Sequence, residues 1–122
     1  MARKGESRPL AKVESFYDNA AALLANVGAA VQAEIKAECL YDQAYELSLL
    51  SEENDGKNKE TREAFASQSA WKQRVAYEKS RIERARAEHS YKIAMIKVRK
   101  IELIASCIKA GVDLQEMFGD GV

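Results

Sequence analysis

ETREAFASQSAWKQRVAYEKSRIERARAEHSYKIAMIKVRKIELIASCIKA, residues 60–110, decides the fold. The stretch holds neither Pro nor Gly and keeps a helical period almost throughout. Apolar or small residues fall at Ala64, Trp71, Val75, Ile82, Ala85, His89, Ile93, Ile96, Ile104 and Ile108. Steps of three, four and seven keep such residues on one face of a helix. At 1.5 Å per residue, one helix over this span is about 75 Å long. A rod of that length buries its stripe only against another rod.

The preceding residues supply the second rod. Apolar positions recur helically at Val13, Phe16, Tyr17, Ala20, Leu23, Leu24, Val27, Ala30, Val31, Ile35, Tyr41, Ala44, Tyr45 and Leu49. Residues 1–8 read as a flexible basic tail, with Ser7 able to cap a helix and Pro9 in its first turn. The first helix is expected over 9–53, a turn over 54–58 and the second helix over 59–110. Gly28 lies inside the first helix and either permits close packing or marks a bend; a bend there would give three helices. Asp55-Gly56 signals the turn, with Gly56 or Asn54 in a left-handed cap conformation. Asn58 is placed to cap the second helix, and Gly111 to end it. Asp113 and Glu116 have capping-box spacing and start a short turn over 113–118. The fold class is therefore all-α: an elongated, coiled-coil-like antiparallel two-helix hairpin in one domain, 1–122. A lone hairpin leaves half of each stripe exposed, which predicts a dimeric four-helix bundle.

Composition narrows the function classes. No run of eighteen apolar residues is present to span a membrane, and no apolar stretch follows the basic N-terminus as in a signal peptide. The expected location is the cytoplasm. Two cysteines, Cys39 and Cys107, are far apart in the hairpin register and are expected to be reduced and at least half-buried. Net charge is zero, but residues 1–60 carry seven Lys/Arg against eleven Asp/Glu, and residues 61–122 carry twelve against eight. Opposite signs on the two rods favour their pairing.

Few residues offer chemistry. His89 is the only histidine and lies on the apolar stripe, which reads as packing. Glu34, Glu38, Asp42 and Glu46 form a carboxylate row that lacks the histidines of helical metal sites, so it reads as solvated or paired with the basic helix. No nucleotide-binding or metalloprotease motif occurs. Neither catalytic residues, a metal site nor a cofactor is expected, and the chain reads as no enzyme. Lys72, Arg74, Lys79, Arg81, Arg84 and Arg86 form a candidate binding face. Phosphates would suit it, but Glu78, Glu83 and Glu88 interrupt its field. Trp71 is expected in the core, closing the turn end of the hairpin with Tyr41 and Tyr45. Leu114, Met117 and Phe118 are either a cap on the open end or a docking motif.

A long helix, then Asp55-Gly56-Lys57-Asn58, then Arg62 and a second long helix, resembles a group of small proteins encoded by tailed bacteriophages. The resemblance covers about residues 30–110 and departs at the Ala-rich N-terminal extension. It implies a helical hairpin in the neighbourhood of phage replication and recombination, in the cytoplasm of a bacterial host. The expected function is a protein-binding accessory or inhibitor acting on a host or phage protein, self-associated as a dimer. The alternative is a nucleic-acid-binding accessory that uses the basic face.

Overall fold

A computed structural model describes the backbone of residues 4–111 and the side chains of residues 11–111. Three helices follow one another: α1 (Lys4–Leu50), α2 (Lys59–Ser69) and α3 (Trp71–Lys109). No strand occurs among the described residues. The short turn expected over 113–118, with the candidate docking residues Leu114, Met117 and Phe118, lies outside the described residues.

The boundaries differ from the sequence expectation at three places. α1 begins at Lys4, so residues 4–8 are helical rather than tail. Lys4, Glu6 and Arg8 are good helix formers, while Gly5 and Pro9, in the same stretch, are poor ones. α1 ends at Leu50 and runs through Gly28 without interruption. A Cβ built on Gly28 meets no atom within 4 Å, so this glycine neither bends the helix nor admits a close neighbour. The third helix arises instead from a break at Ala70, where φ −95° and ψ 10° depart from helical values. Hydrogen bonding bridges the break: Ala70 N–H donates to Ala66 O at 2.9 Å, and Arg74 N–H donates to Ala70 O at 3.0 Å. Ser67 and Ser69 just before it are weak helix formers whose hydroxyls compete for the backbone.

The connection between α1 and α2 is closed by two side chains. A helix leaves its last four carbonyls without partners. Here Asn54, which is buried, donates through Nδ2 to Ser48 O at 3.2 Å and to Arg62 O at 3.1 Å. Arg62 donates through Nη2 to Leu49 O at 2.8 Å and through Nη1 to Asn54 O at 3.4 Å. Because side chains serve the orphan carbonyls, no left-handed cap forms at Asn54 or Gly56. Gly111 is the one residue with positive φ, 74°, among those described. Gly56 serves by its size, since a Cβ there would lie 2.7 Å from the backbone nitrogen of Arg62. Asn58 caps α2 as the sequence suggests, with a partner the spacing did not name. Its Oδ1 accepts from Thr61 N–H at 2.9 Å, and Thr61 Oγ1 accepts from Asn58 N–H at 3.3 Å.

The described residues form two compact units, one combining residues 4–25 with 89–111, the other spanning Asn26–Glu88. In the first, Ala20, Ala94 and Val98 are buried and packed round by Phe16, Leu23 and Met95. Tyr17 donates from its hydroxyl to Glu102 Oε1 at 3.1 Å. Burial, and then the Glu102 carboxylate, raise the pKa of Tyr17. In the second unit, Arg84 meets Glu34 and Tyr77 stacks on Tyr41. Advancing from Glu34 to Tyr41 on α1 matches retreating from Arg84 to Tyr77 on α3, so the helices run antiparallel there.

Most of the apolar stripe expected in the core of the second helix lies outside it, although Ile104 is half-buried. Trp71, Val75 and Ile82 are exposed in the second unit, and His89, Ile93, Ile96 and Ile108 in the first. Leu24 of α1 is exposed too, and so is Cys39, while Cys107 is buried. In the second unit the buried and half-buried positions of α3 are smaller or more polar, Gln73, Tyr77, Ser80, Arg84 and Ala87 with Glu88; in the first they are Tyr91, Ala94, Met95, Val98, Ile101, Ile104 and Cys107. Most fall in steps of four and three, as do Val13, Phe16, Ala20 and Leu23 of α1. Small side chains let two helix backbones come close. The hydrophobic period marked a real stripe, but α1 packs against the other one.

Four substitutions probe the helix and the turn. Gly28→Ala, in open space within a helix, is expected to stabilise the protein by about 0.5–1 kcal/mol, and Gly56→Ala to destabilise it, both read from denaturant midpoints. Asn54→Ala is expected to cost about 1–3 kcal/mol by stranding buried polar groups. Arg62→Lys should also destabilise, because an ammonium cannot reproduce the guanidinium fork. Equal stability of Arg62→Lys and wild type would show that the fork does not hold the turn.

Candidate docking face on α3

α3 turns one side toward α1, and successive residues of a helix are about 100° apart. From a line on the helix surface between Glu78 and Lys79, Val75 and Ile82 lie within about 10°, and Trp71 and Arg86 within about 30°. Gln73, Tyr77, Ser80 and Arg84 lie about 150–170° away, on the opposite side. Burial agrees: Trp71, Val75 and Ile82 are 59%, 49% and 54% exposed, whereas Ser80 is 7% exposed. Together with Arg74, Glu78, Lys79, Glu83 and Arg86, the three apolar residues line a shallow groove of about 600 Å³.

The six candidate cations do not form one face. Arg74, Lys79 and Arg86 line the groove. The Arg74 guanidinium sits 5.8 Å from the centre of the Trp71 ring. Lys72 is exposed. Arg81 lies to the flank, 3.4 Å from Glu78 Oε2 and 5.8 Å from the Tyr77 ring centre. Arg84 turns toward α1, where Nη1 reaches Glu34 Oε2 at 3.1 Å and Nε reaches Glu88 Oε1 at 2.7 Å. Residues two apart, such as Arg84 and Arg86, cannot share a helix face. Hydrogen bonds to Glu88 and then Glu34 raise the pKa of Arg84, which stays charged at any working pH.

The seam behind the groove is polar and aromatic. Tyr41 stacks on Tyr77 with ring centres 6.2 Å apart and meets Tyr45 edge-on at 6.3 Å. Tyr77, not Trp71, is therefore the aromatic partner of Tyr41. Burial first, then the Glu38 carboxylate, raise the pKa of Tyr77. Of the carboxylate row, Glu34 pairs with the basic helix through Arg84. Gln73 Oε1 is buried with no hydrogen-bond partner among the described residues. No group of three His, Cys, Asp or Glu side chains able to hold a metal ion occurs among the described residues. No described helix is long and apolar enough to cross a membrane.

The side of the groove escaped the sequence reading because that reading scored only hydrophobicity. The signal lay in side-chain size: Ser80, Ala87 and Ala94 mark the side that can approach another helix closely.

Arg84→Ala would leave Glu34, whose side chain is 15% exposed, without its cation. Such a loss is expected to cost about 1–3 kcal/mol. The double variant Glu34→Gln/Arg84→Met should recover most of it, since a partly buried ion pair gains little over neutral side chains of similar size. Urea titrations of the three proteins check this, and an unrecovered double variant would show that the pair itself is stabilising.

No family model, curated protein or solved structure matches the chain.

Proposed function

We propose that the chain is a non-enzymatic, protein-binding helical module: an antiparallel hairpin that associates with a second copy and acts as an accessory or inhibitor on another protein. The observation that carries this reading is the apolar side of α3 facing away from α1. Trp71, Val75 and Ile82 are exposed on that side, and a row of large apolar side chains in water suits an interaction surface. Two hairpins side by side make a four-helix bundle, with the Ala- and Ser-lined seams inside each hairpin and the bulky faces between or beside them.

The same geometry weighs against the nucleic-acid alternative. Phosphate binding gains from cations gathered on one surface. Here Arg84 is committed to two carboxylates, Arg81 sits beside Glu78, and Glu78 and Glu83 share the groove with Arg74, Lys79 and Arg86.

Affinity capture from bacterial lysate, with and without nuclease, tests the reading. A stoichiometric protein partner that survives nuclease treatment is expected. Near physiological salt, generic duplex DNA or RNA should not shift with wild-type protein. A salt-sensitive, micromolar shift that is lost on replacing Arg74, Arg81 and Arg84 with Ala would overturn it in favour of nucleic acid.

A further inference from the structure

Each long helix carries a stretch of one charge sign on its solvent side. Over residues 34–50, α1 holds Glu34, Glu38, Asp42 and Glu46 against Lys36 alone, within the second unit. Over residues 89–109, α3 holds Lys92, Lys97, Arg99, Lys100 and Lys109 against Glu102 alone, within the first unit. Glu34 pairs with Arg84, and Glu102 accepts from Tyr17. The remaining carboxylates, Glu38, Asp42 and Glu46, are exposed and form no ion pair among the described residues, and the same holds for the five cations. At about 100° per residue, Glu38, Asp42 and Glu46 fall within an arc of about 80° that also holds the exposed Ile35, and Lys36 lies about 80° beyond its edge. On α3, Lys92, Ile96, Arg99, Lys100 and Leu103 fall within an arc of about 100° opposite the buried Ala94 and Val98. Glu102 lies about 60° beyond that arc, so the face holds three cations, two exposed apolar side chains and no carboxylate.

We infer that the basic face of α3 over residues 92–103 binds the acidic face of α1 over residues 35–46 in a second copy of the chain. The inference rests on the reading of the chain as a self-associating module and names the two surfaces that meet. They are different surfaces of opposite sign, so the contact sets cations against carboxylates, whereas either face against itself would set like charges together. In a two-fold dimer a contact of residue i with j also brings j to i, so two copies make this contact twice. The spacing matches: Lys92 and Lys100 are eight residues apart, as are Glu38 and Glu46, about 12 Å along each helix. Each pair ends a row of residues four apart, and such rows lie alongside one another when two helices cross at about 50°. Ile96, midway between the two lysines and 63% exposed, then leaves water. A nucleic acid or an anionic lipid on the cations would leave the carboxylates of α1 unanswered; a second copy satisfies both rows.

Charge reversal tests it. One variant carries Lys92→Glu and Lys100→Glu, another carries Glu38→Lys and Glu46→Lys, and a third carries all four substitutions. The four positions are exposed, and Lys and Glu are good helix formers, so each variant should keep its helix content by circular dichroism. Sedimentation equilibrium should show wild type as a dimer of the 13.6 kDa chain. Each two-site variant alone should dimerise more than tenfold more weakly, because like charges then face one another at both contacts. The four-site variant, and an equimolar mixture of the two-site variants, should recover wild-type strength, because every facing pair regains opposite signs. Wild-type strength in either two-site variant alone, or recovery in neither restored pairing, would overturn this contact while leaving self-association standing. A monomeric wild type at hundreds of micromolar would overturn both, and the lysate capture then decides protein binding separately.

A second measurement uses the wild-type chain and does not depend on the variants folding. A carbodiimide joins a lysine amine to a carboxylate directly, with loss of water and no spacer, so it reports only groups in contact. Applied to a mixture of heavy-nitrogen-labelled and unlabelled protein, it should give mixed-isotope peptides that link Lys92 or Lys100 of one chain to Glu38, Asp42 or Glu46 of the other. Links between chains that never involve these residues would overturn the contact.

Discussion

A helix can turn only one side toward a packed neighbour, and α3 gives α1 its smaller and more polar side. Everything else about the described structure follows from that choice. Gln73, Ser80 and Ala87 let the backbones approach, and the gaps between them are filled by Tyr77 on Tyr41 and by Arg84 on Glu34. These contacts give direction and register, because an ion pair and a ring stack are met only when the right residues are level. They bury little hydrocarbon, and burial of hydrocarbon is the main driving force for folding. The bulky residues that would supply it, Trp71, Val75 and Ile82, face away. Specificity therefore resides inside the antiparallel pair, and the apolar area of the outward side stays in water in the single chain.

The turn is closed by contacts within the chain. Asn54 and Arg62 exchange hydrogen bonds with the end of α1 and with one another. Gly56 makes room for Arg62, and Asn58 with Thr61 starts α2. Gly56, Asn58 and Arg62 are among the residues on which the resemblance to small phage proteins rests. Each has a structural task, so a likeness at these positions speaks to how the chain turns and carries no information about what it binds.

Helices, the turn region, the Asn58 cap and the Gly111 stop were legible in the sequence, because period, caps and turn residues act over a few neighbours. The side of α3 that packs was not. Hydrophobicity ranks Trp71 and Ile82 above Ser80 and Ala87, and a stripe found by rank alone is assigned to the nearest helix. Which of two stripes meets the neighbour is decided by how close two backbones can come, a question of volume. The break at Ala70 was hidden for a related reason: no Pro or Gly marks it, and the hydrogen bonds run across it. Membership of the candidate cations was overstated because residues close in sequence were treated as close in space; Arg84 and Arg86 sit on opposite sides of one helix.

Trp71 is the only tryptophan in the chain and lies at one end of the outward groove. Its fluorescence, followed as wild-type protein is diluted from hundreds of micromolar to tens of nanomolar, tests the central claim that this side of α3 is an interface. The account predicts a blue-shifted, quencher-protected emission at high concentration that moves to the red, solvent-exposed position on dilution, with helix content following or lagging the shift. A red, freely quenched emission across the whole concentration range would contradict it.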